Sequence, residues 1–242
     1  MNVLDIRPAR PDELSSVEGL WLEASRWLAS RGLDQWQYPP RRYRMIEAIR
    51  ARDCHLVHLH SRLVGTITVQ EEADPEWWAD DDPSCALYVH DLAVSRSAAG
   101  KAVGAALLDW AGGLAARRGK PWLRLEAWKT NHLLHRYYLA QRFELLRIED
   151  LPHRNSGALF QRHTGFVTAP ASVGGDTRGG HRAPTAVERP DLPMAAPADH
   201  CTVPIVKGPL DTAGPSQPTE PPLHVRLANL DLISRTSREV SG

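Results

Sequence analysis

The chain has 242 residues, with 29 Lys and Arg against 29 Asp and Glu and a formal net charge of +0. That length holds one domain of ordinary size plus an extension, and the charge balance leaves no electrostatic footprint for a nucleic-acid partner. Cys54, Cys85 and Cys201 lack zinc-knuckle spacing, the N-terminus has no apolar signal region and no run of eighteen apolar residues occurs; the reading is a cytoplasmic protein with no metal and no membrane partner.

Val3 to Arg7 predicts a first strand, ended by Pro8. Pro11 then opens a helix to about Ser30, in which Leu14, Val17, Leu20, Trp21, Ala24, Trp27 and Leu28 share one face and Gly32 closes the end. Asp34 to Pro40 is an aromatic and polar loop, and Tyr43 to Ala51 a second helix. Cys54 to His60 and Leu63 to Gln70 read as strands, with Gly65 marking a bulge or a close backbone approach. On a strand His58 and His60 share a face while His55 opposes them, and no carboxylate completes a site. The cluster is therefore taken as a solvent-facing strand edge rather than a metal centre. Glu71 to Pro83 is acidic, with Trp77 and Trp78 in its middle. Such a run either collects an amine or is simply solvated, and solvation is the reading for Asp80, Asp81 and Asp82. At least one of the two tryptophans is expected to tuck against the domain or a substrate.

The stretch from Leu87 to Gly119 organises the rest. Leu87 to Val94 is a buried strand interrupted by His90 and Asp91, which strand parity sends to opposite faces. Ser95 to Lys101 turns the chain, and from about Val103 the residues Leu107, Leu108, Ala111, Leu114 and Ala115 fall at helical spacing. Gly100, Ala102 and Gly104 are small residues before and in the first helical turn, where free N–H groups and the positive dipole end suit a diphosphate. Neither a P-loop nor GxGxxG is present. Trp122 to Trp128 alternates as a strand, with Leu123, Leu125 and Ala127 on one side and Trp122, Arg124, Glu126 and Trp128 on the other. A helix capped by Asn131 runs to Gln141, and Phe143 to Ile148 and Gly157 to Arg162 close the order as strands. These elements predict an α/β architecture, α+β-like in its mixed sheet, over residues 1–164. Residues 165–242 hold 11 of the 19 prolines, 8 of the 17 glycines and no tryptophan. They read as a disordered Pro/Gly-rich extension, with Leu223 to Ile233 its one apolar run.

Ala99-Gly100-Lys101-Ala102-Val103-Gly104, followed by the Trp122 strand and then Asn131, Tyr138 and Phe143, resembles the coenzyme A half of the GNAT superfamily of acyl-CoA-dependent N-acetyltransferases. Ala99 stands where that family's signature has Arg or Gln, with Arg96 the nearest basic substitute; Ala102 replaces its middle glycine, and Arg142 the glycine before Phe143. The resemblance implies a central mixed sheet of six to seven strands flanked by about four helices. It further implies acetyl-CoA as co-substrate, with Leu92, Ala93, Val94, Ala99, Gly100, Lys101, Ala102, Val103, Gly104, Ala105, Asn131 and Tyr138 at the cofactor, and Tyr138 protonating the leaving sulfur. The acceptor would be a small-molecule or peptide amine, with Trp36, Tyr38 and Trp78 against it, although the loop around Trp36 reads equally as a staple onto the core. His90, Asp91, Glu71, Glu72 or a water relay would supply the base. A homodimer is the family-level expectation, and a non-catalytic acyl-CoA-binding module the alternative function.

Overall fold

Short runs of aliphatic and β-branched residues build seven strands, and the computed structural model describes residues 4–79 and 81–169. Asp80 and the expected extension from residue 170 onward, including its apolar run, lie outside the described residues. The strands are β1 (Leu4–Pro8), β2 (Cys54–Leu59), β3 (Arg62–Gln70), β4 (Ala86–Val94), β5 (Trp122–Trp128), β6 (Glu144–Ile148) and β7 (Ser156–His163). They form one sheet in the order β1-β2-β3-β4-β5-β7-β6, antiparallel throughout except for the parallel β4–β5 pair. Pro8 ends β1 as its last paired residue, which an edge strand tolerates.

Five helices cover the sheet: α1 (Leu14–Ser30), α2 (Arg42–Arg50), the one-turn α3 (Pro75–Trp78), α4 (Val103–Arg117) and α5 (His132–Ala140). The main core packs α4 and α5 against one face, where Val57, Ile67, Leu87, Val89, Leu123 and Leu125 point. On the other face α1 and α2 bury Cys54 and Leu56, and α3 buries Tyr88 and Leu159. The GNAT-like sheet expected from the sequence is therefore present with seven strands, and α3 is the helix beyond the four expected.

Three local readings change. β2 lies between β1 and β3, so its histidines are not on a sheet edge. His55 is buried, bonded through Nδ1 to the Asp53 carbonyl at 2.9 Å and edge-on to Trp110 at 4.8 Å, while His60 sits outside the strand with a φ of 50°. The acidic stretch is solvated at Asp82, as read, but not at Asp81 or through its middle. Trp77 and Trp78 are 2% and 1% exposed, Asp81 is buried against Arg147 at 2.9 Å, and Asp74 and Glu76 are both held by Arg154. Arg124, expected on a polar strand face, is fully buried, bonding the Asp82 carbonyl and the Tyr88 hydroxyl and lying over the Trp78 ring. Gly65 does mark a close approach, since a Cβ there would sit 2.9 Å from the Ala93 carbonyl oxygen. At the C-terminal end, the N–H groups of Thr168 and Ala169 both donate to Asp109 of α4, at 2.7 and 2.6 Å.

Candidate active site

β4 and β5 pair only from Ala86↔Trp122 to Val89↔Leu125. Beyond that point β4 continues for five residues, His90 to Val94, and β5 for three, Glu126 to Trp128, without meeting. The register with β3 also slips here, so Asp91 and Leu92 pair with neither neighbouring strand. Asp91 has a φ of 46°, a left-handed conformation that costs a non-glycine residue about 1–2 kcal/mol. The bulge overrides strand parity, and His90 and Asp91 both line the same cavity of about 810 Å3 rather than opposite faces.

Glu126 is the site residue that sequence reading passed over. Arg124 and Glu126 share the α3-side face of β5, and across the split Glu126 Oε2 lies 3.4 Å from His90 Nδ1. Its other oxygen accepts 2.7 Å from Trp78 Nε1. Trp78 therefore stands behind the carboxylate rather than on the cavity wall. Burial lowers the His90 pKa, but the Glu126 carboxylate outweighs it and leaves the imidazole raised. Burial works against the Glu126 carboxylate too, and His90 with the two hydrogen bonds holds it below the ordinary range. For Asp91, enclosure by the cavity walls pushes the carboxyl up against the pull of His90, Arg44 and Arg41.

Tyr138 enters from α5. It is 7% exposed, packs on Phe143 and Phe160 at 5.6 and 5.5 Å and lines the cavity. Burial first, and Glu126 second, push its hydroxyl well above the usual phenol range, so it stays protonated. Asn131 is buried and bonded within the fold: Oδ1 caps α5 at the Leu134 N–H, 3.0 Å away, and Nδ2 donates to Gln35 at 2.7 Å. That bond, with Asp34 accepting from Trp128 and Thr130, staples the 34–38 loop. The staple and the pocket are one object, because Trp36 and Tyr38 line the cavity from this anchored loop.

At the start of α4 the turn is left-handed twice, at Gly100 (φ 75°) and Ala102 (φ 54°). Ala99 and Lys101 spend their N–H groups inside the turn, on the carbonyls of Arg96 and Ala98. Those of Gly100, Ala102, Val103 and Ala105 meet no acceptor among the described residues, which makes a cradle for an anion. Arg96 is not aimed as a substitute for the missing basic residue: its guanidinium lies over Trp27, 4.4 Å from the ring centre. Ala102 and Arg142 (φ 65°), the two residues in glycine's place, both sit at positive φ. Ala102→Gly and Arg142→Gly should therefore each stabilise the fold, by about 0.5–1 kcal/mol or a few degrees in Tm, and only Ala102→Gly should also tighten acetyl-CoA binding. Thermal melts and calorimetry check this, and a lowered Tm for both would refute the left-handed assignment.

Among the described residues no group of three His, Cys, Asp or Glu is placed to hold a metal, and no helix is long and apolar enough to cross a membrane. The fold is shared with solved structures: a GNAT-family acetyltransferase of Listeria monocytogenes 4b F2365 has a TM-score of 0.55 at 21% identity, covering 66% of this chain and 94% of that one. The PaiA N-acetyltransferase of Thermoplasma acidophilum, solved in complex with coenzyme A, has a TM-score of 0.50 at 14% identity, covering 66% and 98%. By sequence the chain is 27% identical over 154 residues to YesJ of Bacillus subtilis (strain 168), an uncharacterized N-acetyltransferase, spanning 57% of this chain and 81% of YesJ. The family model for GNAT acetyltransferases matches residues 21–143, which take in the split, the α4 turn, His90, Glu126 and Tyr138, and on that match the chain belongs to the GNAT acetyltransferase family.

Proposed function

We propose that the chain is an N-acetyltransferase that moves the acetyl group of acetyl-CoA onto a primary amine of a small molecule or peptide, by direct attack in a ternary complex. The observation that carries this reading is the convergence on one cavity of the β4–β5 split, the His90–Glu126 pair and a protonated Tyr138. The donor set at the start of α4 fits the diphosphate of coenzyme A, and the unpaired backbone at Asp91 and Leu92, continuing to Ala93 and Val94, fits an amide-bearing chain lying in the split.

Glu126 faces His90 Nδ1, which leaves Nε2 to take the proton of the attacking amine. A backbone N–H of the bulge polarises the thioester carbonyl as negative charge grows on its oxygen. The new C–N bond forms as the C–S bond breaks, and Tyr138 gives its proton to the departing sulfur. A module that merely bound acyl-CoA would need neither the His90–Glu126 pair nor the phenol.

Calorimetry with acetyl-CoA, followed by thiol release on a panel of amines, tests the reading. Binding with release on some amine is the expected result. Binding without release on any amine would return the binding-module alternative, and absence of binding would overturn both.

A further inference from the structure

The charges lining the cavity divide into those already partnered and those left over. Asp74 and Glu76 are held by Arg154, Glu76 also meets His153, and Glu126 meets His90. Arg41 and Arg44 line the same cavity with no carboxylate in ion-pair range among the described residues. Both stand at the start of α2, a nine-residue helix with no acidic residue in its first turn and no side-chain cap. Cations there oppose the positive end of the helix dipole, which works against the helix rather than for it. Arg42, their neighbour, is neutralised by Glu18 at 2.7 Å; Arg41 and Arg44 are not. Two guanidiniums and a helix start therefore present uncompensated positive charge to the cavity.

Both side chains are exposed at the cavity, and an aromatic wall orders one of them. The Arg41 guanidinium lies over Tyr38, 5.6 Å from the ring centre, and Tyr38 stacks on Trp128 at 6.3 Å and tilts against Trp21 at 5.7 Å. In the same space Asp91 is carried by its left-handed bulge, and it, Glu47 and Glu72 are the exposed carboxylates lining the cavity with no ion-pair partner among the described residues. Beyond the effect of burial, Arg41 and Arg44 bear on both the Asp91 carboxyl and the Tyr38 hydroxyl, as neighbours in one pocket would. The cavity thus has a cationic end on α2 and an anionic point at Asp91, beside the proposed base.

We infer that the acceptor is an amine that also carries a carboxylate, an amino acid or a short peptide with a free C-terminus, its carboxylate taken by Arg41 and Arg44 and its ammonium received by Asp91 next to His90. Arginine pairs suit a planar carboxylate through parallel N–H donors, and the aromatic wall flanks the rest of the molecule. This assignment rests on the transferase reading.

The test is thiol release from acetyl-CoA with the standard amino acids, each beside its carboxamide and its decarboxylated amine, and with β-alanine beside phosphoethanolamine. For the amino acids that turn over, kcat/KM should exceed that of the carboxylate-free partners by about tenfold to a hundredfold. The double variant Arg41→Gln, Arg44→Gln should collapse that ratio towards one, with acetyl-CoA calorimetry confirming that it is folded. Carboxylate-free amines working as well as or better than their parents would overturn the inference and leave the transferase intact. Preference for phosphoethanolamine would overturn the carboxylate in favour of a phosphate. Silence from every amine would remove the transferase reading and this inference together.

Discussion

His90→Gln is expected to lower kcat by about 10²–10³-fold, the range for losing a positioned general base, with acetyl-CoA affinity within a few-fold of the parent. The dependence on pH is the sharper signature. Imidazole accepts a proton only when neutral, and Glu126 holds the His90 pKa above its ordinary 6.5; kcat at saturating acetyl-CoA should therefore climb through neutral pH rather than level off below it. Glu126→Gln keeps an oxygen for the Trp78 N–H but removes the charge, so burial then prevails and the His90 pKa falls. The ascending limb should move to lower pH, with a lower plateau because the ring is less basic and less firmly held. A Glu126→Gln profile superimposable on the parent's would show that the pair does not govern turnover. An active His90→Gln with the same limb would transfer the base to Asp91 or a water relay.

Tyr138→Phe should reduce kcat by about tenfold to a hundredfold with little change in the KM for acetyl-CoA. The ring keeps its contacts with Phe143 and Phe160, so the substitution removes the hydroxyl and little else. Because burial and Glu126 both raise the phenol pKa above its ordinary 10.0, the parent should show no descending limb from this group across the working range. Steady-state kinetics with thiol detection decide the matter, and an unchanged kcat would strip Tyr138 of the acid role.

Most of the fold was legible because its signals are local. Strand β5 begins and ends where alternation in Trp122 to Trp128 said it would, and α4 starts at Val103 as its helical spacing required. What was hidden depended on partners far along the chain. The acidic run looked solvated since Arg147 and Arg154, which hold Asp81, Asp74 and Glu76, lie more than sixty residues away. Glu126 looked like one polar residue on an alternating strand, and nothing local announces that His90 will stand opposite it across a gap. The His90 side of the cavity was half visible: His90 and Asp91 were both read as candidates, but parity separated them, and only the bulge with its positive φ brings both into the cavity. Asn131 was read as a helix cap and is one, while its bond to Gln35 across the sequence was not visible. Trp36 and Tyr38 were placed at the acceptor by the family resemblance, and their setting depends on the Asp34 and Gln35 anchors that no periodicity predicts.

The sheet is in effect two antiparallel blocks, β1 to β4 and β5 with β7 and β6, stitched by four residue pairs of a single parallel ladder. Opening that short seam breaks few backbone bonds, so the two blocks have the makings of separate cooperative units, with amide exchange fastest along the unzipped ends of β4 and β5. A ligand threaded between those ends supplies the missing rungs. In the proposed transferase acetyl-CoA would then be mortar as well as reagent, and resistance to unfolding would depend in part on how much of it is bound.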